Sequence, residues 1–316
     1  MAKKNSNKIL IVVLLGLIIG FLILKIAGNS GKETNFKTKF GNLDTTDFAQ
    51  ILLYPASEKG AEIKFYKQDN VWVGEKDGSV YKLKENTVEN FIKEIKILKP
   101  VRLAAKSNEK WADYQVNDSL GTRLMVKNSK GDVNLDIMIG KFSVKQSQNQ
   151  YQGGNMNFEG ITYVREYDED EVYSIDGFVA FTFNQKLSAF RENTFIKAEK
   201  DNINKLQFEY IDSSFIAMKQ DTTWLINGKI ADNSKMKTYL QSLSNKTMQT
   251  FEDDYTPIGN PVFTLKISGD NFSEIKIQAY VKDSENYVLT SSLNNGAYFS
   301  ATKSVVNEIF KGPKYF

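Results

Sequence analysis

The sequence contains neither cysteine nor histidine. Without cysteine the chain has no disulfide, no thiolate metal site and no cysteine nucleophile. Without histidine it lacks the usual general base near neutral pH and the commonest metal ligand in proteins. Any catalysis would therefore rest on Asp, Glu, Lys, Tyr or Ser, and the sequence predicts no cofactor and no metal.

Motifs of the common nucleotide-binding and hydrolytic sites are also missing. There is no Walker A pattern, no G-x-G-x-x-G and no G-x-S-x-G. The acidic run "EYDEDE" (166–171) lacks the spaced oxygen ligands and the glycine of an EF-hand loop, so a solvated turn between two strands is the simpler interpretation. The run "FEDDY" (251–255) is interpreted in the same way, as a solvated link. The sequence therefore predicts a protein that is not an enzyme.

One long hydrophobic run stands at the N-terminus. Ile9–Leu24 comprises sixteen consecutive apolar or glycine residues, and a helix continued to Gly28 would be about 30 Å long, enough to cross a bilayer. A cleaved signal peptide is the alternative, but no small-residue processing site follows the run. We therefore predict an uncleaved single-span membrane anchor with a cytoplasmic tip in residues 1–28.

Charge gives the expected orientation of this anchor. Three lysines precede the apolar run, which favours a cytoplasmic N-terminus and places the bulk of the chain outside the cytoplasm. The first 32 residues hold five of the 41 basic residues and none of the 38 acidic ones, which leaves 36 basic and 38 acidic residues in the remainder. This balance predicts no nucleic-acid partner. Residues 29–42 are polar and are interpreted as a linker.

Two nearly identical hexapeptides indicate an internal repeat. "KQDNVW" ends at Trp72 and "KQDTTW" ends at Trp224, and in both Gln-Asp falls at a hairpin turn whose return strand begins at the tryptophan. A helix with an apolar stripe follows each copy, capped by Asn86 or Thr87 in the first and by Asn233 or Ser234 in the second. We expect both tryptophans to be core anchors, and the alternative is ligand contact.

The repeat predicts the fold. Alternating strands, turn signals and a terminal apolar segment recur in the same order after each helix, with Val179 and Phe183 matching Val305 and Ile309 at a spacing of 126. We predict an α+β protein with two tandem, structurally similar units, 43–190 and 191–316, whose sheets are mostly antiparallel.

Two features stand out as candidate functional elements. The segment "QSQNQYQGGNMNFE" (146–159) has no counterpart in the second unit, and its Tyr151, Met156 and Phe158 make it a candidate partner-binding loop. A merely mobile insertion is the alternative. Arg191, at the join between the units, is a candidate structural anchor, with ligand contact as the alternative.

The chain resembles a bacterial family known only as a domain of unknown function. The resemblance rests on "DNVW" (69–72), "KWADYQV" (110–116), "IMIGK" (137–141), "TYVREYDEDEVYSID" (162–176) and "FRENTF" (190–195), in that order. Members of the family carry one N-terminal membrane anchor and are often encoded beside gliding-motility-type ABC transporter components. The resemblance implies a membrane-tethered accessory protein, with ABC transporter permease subunits as possible partners.

Three functions are weighed on this basis. The first is a non-enzymatic, membrane-anchored interaction protein outside the cytoplasm, which a broad exposed apolar patch would favour. The second is a saccharide- or peptide-binding module with a site in the cleft between the units. The third is a hydrolase that uses carboxylates only, which would require two close carboxylates in a cleft.

Overall fold

The structure is a computed structural model that describes residue 40, residues 43–146 and residues 158–316. It is an α+β fold built on two sheets, in which all strand pairs of the described residues are antiparallel. Within these residues no helix is both long enough and apolar enough to cross a bilayer. The predicted anchor, residues 1–28, lies outside the described residues.

The first sheet has nine strands in the order β4-β3-β2-β1-β6-β7-β8-β9-β5. Hairpins connect most spatial neighbours, because turn residues separate short alternating segments. The strands are β1 (Phe48–Tyr54), β2 (Ile63–Gln68), β3 (Val71–Lys76), β4 (Ser79–Lys82), β5 (Pro100–Ala105), β6 (Thr122–Asn128), β7 (Val133–Gln146), β8 (Phe158–Glu166) and β9 (Val172–Asp176).

The second sheet has eight strands in the order β13-β12-β11-β10-β14-β15-β16-β17. Its strands are β10 (Ile203–Tyr210), β11 (Ser214–Gln220), β12 (Thr223–Ile226), β13 (Lys229–Ile230), β14 (Phe263–Gly269), β15 (Ile275–Val281), β16 (Asn286–Ser291) and β17 (Phe299–Thr302). The order matches that of the first sheet, strand for strand, once β5 is set aside. This shared order supports the predicted repeat.

Helices occupy matching places in the two units. The helices of the described residues are α1 (Thr87–Lys96), α2 (Trp111–Tyr114), α3 (Val179–Phe183), α4 (Leu187–Phe190), α5 (Asn233–Leu243) and α6 (Lys303–Ile309). Helices α1 and α5 each follow the fourth strand of their sheet, and α3 and α6 each follow the last of the shared strands. Each sheet buries its own hydrophobic core.

The strand register gives residue-level equivalences. In the first sheet Phe65 lies opposite Gly74 and Lys67 opposite Trp72. In the second, Ala217 lies opposite Ile226 and Lys219 opposite Trp224. In each unit the tryptophan pairs with a lysine that follows a core-facing residue of the preceding strand by two positions. The two tryptophans therefore hold equivalent places in the two sheets.

The two long helices bury the same positions. Val88, Phe91 and Ile95 of α1 are buried, and so are their counterparts 148 residues later, Met236, Tyr239 and Leu243 of α5. Their apolar stripes face the sheets because an amphipathic helix buries that side.

The caps of the two helices differ from the prediction. Asp232, rather than Asn233 or Ser234, caps α5 by accepting from the amides of Ser234 and Lys235 at 2.8 and 3.1 Å. Asn86 holds the N-cap place of α1 in a left-handed conformation without a side-chain bond.

Residues 190–196 bind to both units. The Lys84 amide donates to the Phe190 carbonyl, and the Glu192 amide donates to the Lys82 carbonyl, so the segment extends the first sheet beyond β4. On the other side, the Met248 amide donates to the Asn193 carbonyl. The segment that connects the units is therefore hydrogen-bonded to both of them.

Candidate functional site

The β7–β8 hairpin is longer than its counterpart in the second unit. The pairs Ile137 with Glu166 and Ile277 with Ser291 hold equivalent places in the two sheets. From there β15 continues only to Val281, whereas β7 continues to Gln146. The first unit therefore carries a two-stranded extension that projects beyond the shared fold.

An exposed apolar surface lies on this extension and on the neighbouring helix α3. We call it the aromatic patch, and it consists of Phe142, Val144, Phe158, Phe178 and Phe181, which are 40%, 53%, 57%, 39% and 52% exposed. The ring centroids of Phe142 lie 4.4 Å from those of Phe181 and 6.0 Å from those of Phe178. Contiguous exposed aromatic residues of this kind mark interaction surfaces more often than single exposed apolar residues do.

A bulge in β7 places Phe142 in the patch. The register between β7 and β8 shifts between Ile139 and Phe142, so Phe142 lies opposite Thr162 and on the same face as the buried Val164. That face is the one that α3 covers. Without the extra residue, strict alternation would put Lys141 there instead.

Gly160 makes room for the aromatic ring of Phe178. A Cβ at this position would lie 2.7 Å from three atoms of that ring. Phe178 therefore lies against the backbone of β8, and any larger residue at position 160 would displace it. The patch depends on this close approach.

A groove of about 470 Å³ lies beside the patch, between α3 and β7. Its lining includes the apolar residues Leu120, Ile139 and Phe181 together with three amide side chains and one lysine. The Asn184 Oδ1 at the rim accepts from the Ser57 amide at 2.8 Å. The groove therefore combines apolar side chains with a few polar groups, as ligand-binding sites do.

The second unit has polar residues where the first has Phe178 and Phe181. The register pairs Val164 with Tyr173 in one sheet and Leu289 with Phe299 in the other, which fixes a spacing of 126 residues. At that spacing Phe178 corresponds to Ser304 and Phe181 to Asn307, whereas the buried Phe183 corresponds to the buried Ile309. The patch is therefore specific to the first unit.

Only one of the three loop residues singled out from the sequence is described. Phe158 is the first residue of β8 and belongs to the aromatic patch, while Tyr151 and Met156 lie outside the described residues. Sequence reasoning missed Phe142, Phe178 and Phe181. The signal for the last two was present in "DGFVAFTF", where apolar residues continue around the helix beyond the face that a core requires.

Arg191 and the two tryptophans are packed into the fold. The Arg191 side chain is 7% exposed, and its Nη1 donates to the Asp253 carboxylate at 2.6 Å. Its guanidinium lies 4.0 Å from the ring centroid of Tyr81 and 3.6 Å from that of Phe251, so it joins the two units. Trp224 is 5% exposed in the second core, and Trp72 is half-buried against the first.

A polar cleft of about 660 Å³ opens between the two units beside Arg191. Its walls include Glu58, Lys76 and Tyr81 of the first unit and Asp253 and Asp254 of the second. The Lys76 Nζ lies 2.6 Å from the Glu58 carboxylate, so two of these charges neutralise one another.

The acidic run 166–171 is only partly a solvated turn. Glu166 is 7% exposed, whereas the residues after it lie in the turn between β8 and β9. Within the described residues, no group of three or more metal-ligating side chains comes together.

Arg165, beside that run, is the largest fully buried side chain of the described residues. It donates to the carbonyls of Val116, Glu166 and Tyr167, and its guanidinium lies 3.6 Å from the ring centroid of Trp111. Burial lowers the pKa of Arg165 from its ordinary value. This arrangement clamps the segment that contains α2 onto the outer face of the first sheet.

Comparison with known proteins adds a family and no activity. A search of curated proteins and a search of solved structures each found no match. One family model, described as a domain of unknown function, matches residues 72–260, which is more than half of the chain and includes parts of both sheets. The chain belongs to this family, DUF4340.

Proposed function

We propose that the protein is a non-enzymatic, membrane-anchored interaction protein whose folded body lies outside the cytoplasm and binds a protein of the same membrane. The aromatic patch carries this proposal. The patch is contiguous and exposed, and the second unit has Ser304 and Asn307 at the positions equivalent to Phe178 and Phe181. Permease subunits of an ABC transport system are the partners that the family resemblance suggests.

The anchor and linker lengths fit a partner in the same membrane. A helix that continues the apolar run Ile9–Leu24 to Gly28 would form a single span, and residues 29–39 lie between Gly28 and Phe40. Eleven residues extend to at most about 40 Å. Phe40 is buried beside Tyr173, with ring centroids 6.1 Å apart, so the folded body would remain within that distance of the bilayer.

Photo-crosslinking in membranes tests the proposal. We would place p-benzoylphenylalanine at Phe181 of the full chain and, as a matched control, at Asn307, the equivalent position of the second unit. Both side chains are exposed, so neither change should affect folding. We expect a protein adduct in the membrane fraction from position 181 and at least about fivefold less from position 307. No adduct at 181, or equal yields, would contradict the proposal.

Binding of a saccharide or peptide is a second candidate function, favoured by the cleft between the units. Its volume lies within the range of ligand pockets, about 300–1,000 Å³. Ser79 lines the cleft and is exposed, so Ser79→Trp would fill part of the space. A panel of glycans and peptides should raise the melting temperature of the wild type but not of this variant. Equal shifts in both proteins would place the ligand elsewhere.

A further inference from the structure

We infer that the open edge of β7 beside the aromatic patch binds an extended segment of the protein partner as an added β-strand. This inference rests on the proposed function and names the mode of binding. The segment would run along Phe142–Val144, in line with β6, which begins only at Thr122. Its apolar residues would occupy alternate positions.

Among the described residues, no strand pairs with the backbone groups of β7 at this edge. The Gly160 carbonyl accepts from the Gly177 amide on the far side of β8, so the backbone groups of Gly160 point away from β7. Val144 lies opposite Gly160. In an antiparallel pair, the backbone groups of two opposite residues either both point toward each other or both point away. The N–H and C=O of Val144 therefore point away from β8.

The same direction holds for Phe142, which is two residues away and lies opposite Thr162. In the first sheet, β6 pairs with β7 only as far as Ile139. Within residues 43–146 and 158–316, no strand pairs with β7 on that side beyond this point. Edges with unpaired N–H and C=O groups accept strands from other chains.

The groove gives the added strand a place for its side chains. It lies along the same edge, and its lining includes Leu120, Thr122 and Phe142. Because side chains alternate along a strand, every second residue of the partner segment would enter this apolar space while its neighbours face solvent. The site therefore selects a segment with apolar residues at alternate positions.

The charges at the rim favour an uncharged protein segment over an anionic bilayer. The Lys145 Nζ lies 3.6 Å from the Glu159 carboxylate, and the Lys141 Nζ lies 5.5 Å from the ring centroid of Tyr114. Recognition of anionic lipid uses clusters of about four to eight basic residues.

The second unit offers no such edge. There β14 pairs with β15 as far as Ala279, and the Val262 amide donates to the Ala279 carbonyl just beyond the end of β14. β15 ends two residues later, at Val281. The open edge and the aromatic patch are thus found together, on the first unit alone.

Two substitutions at one residue separate backbone pairing from side-chain contact. Val144→Pro removes an edge N–H that makes no bond to β8, so the hairpin should persist. Val144→Ala removes most of the side chain and keeps the N–H. With the photo-crosslinker at Leu120 in the full chain in native membranes, we expect Val144→Pro to lower the adduct yield at least about tenfold and Val144→Ala less than about threefold. A greater loss with alanine than with proline would overturn the inference.

Hydrogen exchange of the wild-type chain provides a second readout that does not depend on how the proline variant folds. In the crosslinked complex the amides of Phe142 and Val144 should become protected. Those of Ser143 and Lys145, which point toward β8, should be protected with and without the partner. Unchanged exchange at Phe142 and Val144 would overturn the inference.

The identity of the adduct separates the remaining outcomes. An adduct at Phe181 that Val144→Pro does not reduce would leave the proposed function standing and refute strand addition. No adduct at either position would refute both. An adduct of Leu120 to lipid, to residues 147–157 of the same chain or to a second copy would refute a separate protein partner. An adduct that maps to a segment of another protein with apolar residues at alternate positions would support the inference.

Discussion

Helices α3 and α6 occupy the same place in the two units and differ in polarity where they face solvent. Their inward positions are apolar in both, Val179 and Phe183 in one and Val305 and Ile309 in the other. The outward positions are Phe178, the N-cap residue of α3, and Phe181 in the first unit, but Ser304 and Asn307 in the second. The second unit shows that this fold is compatible with a polar outward face. The phenylalanines of the first unit therefore need an explanation other than folding, and we attribute them to binding.

On the faces of the two sheets that lie away from these helices, the first unit is the more covered one. Met138 and Arg165 lie opposite each other and are buried beneath the segment that contains α2. Their counterparts Gln278 and Thr290 also lie opposite each other but line an open surface. An additional segment thus covers one face of the first sheet, while the aromatic patch on its other face stays exposed.

The largest expected effect concerns the tryptophan pair. Trp224 is 5% exposed and Trp72 is half-buried, although both hold the same place in the ladder. Trp224→Ala should lower the free energy of unfolding by about 3–5 kcal/mol, and Trp72→Ala by about half as much because less apolar area is lost. Urea denaturation followed by circular dichroism measures both. The control Val71→Ala, at a position 62% exposed, should stay within about 0.5 kcal/mol of wild type. Equal losses for the two tryptophans would show that burial does not distinguish them.

A smaller effect concerns the middle of the two helix stripes, where Tyr239 corresponds to Phe91. The Tyr239 hydroxyl donates to the Ile309 carbonyl at 2.5 Å, and burial holds the pKa of Tyr239 well above its ordinary value, so the proton is retained. Tyr239→Phe leaves that buried carbonyl without its donor and should cost about 1–3 kcal/mol.

The reverse change, Phe91→Tyr, tests the same position in the first unit. Phe91 is 2% exposed and packs against Phe65, Phe183 and Phe190, so an added hydroxyl would be buried among rings. It should also cost about 1–3 kcal/mol. The melting temperatures of Tyr239→Phe and Phe91→Tyr, compared with that of the wild type, measure both losses of stability. A stabilising Phe91→Tyr would mean that an acceptor exists there as it does in the second unit.

The smallest expected effect concerns an ion pair on the outer face of the second sheet. The bond from Lys266, at 2.7 Å, lowers the pKa of Glu209 from its ordinary value. A lowered folded-state pKa contributes stability that is present above the unfolded-state pKa of about 4.3 and is lost as the pH falls through the folded-state pKa. The Glu209 side chain is 39% exposed, so screening limits the effect to less than about 0.5 kcal/mol.

Glu209→Gln should therefore reduce stability slightly at pH 7 and leave it unchanged at pH 3. Urea unfolding followed by Trp224 fluorescence, in a chain with Trp72 and Trp111 replaced by Phe, reports on the second unit. A loss of equal size at both pH values would exclude the ion pair as its cause.

Local patterns in the sequence predicted much of the fold. The turns before Trp72 and Trp224 and the helix stripes lie within short segments, and their hydrophobic periods report directly on which side is buried. The strand β5 was not predicted, because it pairs with a strand some 70 residues away along the chain. The N-cap of α5 was misplaced by one residue because Asp232, Asn233 and Ser234 are all capping types.

The place of Phe142 in the aromatic patch could not be predicted, for a different reason. One extra residue between Ile139 and Phe142 changes which side chains of β7 face α3. The alternation of apolar and polar residues in the sequence does not indicate this bulge. Phe158 was singled out because it belongs to the long segment 146–159, not because of its contacts. Patch residues from β7, β8 and α3 meet only once the register of the sheet is known.

The position of Phe40 determines how the proposed complex would carry mechanical load. Phe40 lines a cavity with Leu135 and Tyr167 at one end of β7 and β8, and the aromatic patch lies at the other end of the same strands. Tension between an anchored N-terminus and a partner on the patch would run along these two strands. Force along a strand loads its ladder bonds together rather than one after another, so this path should resist extension, while the second sheet lies outside it and carries little of the force.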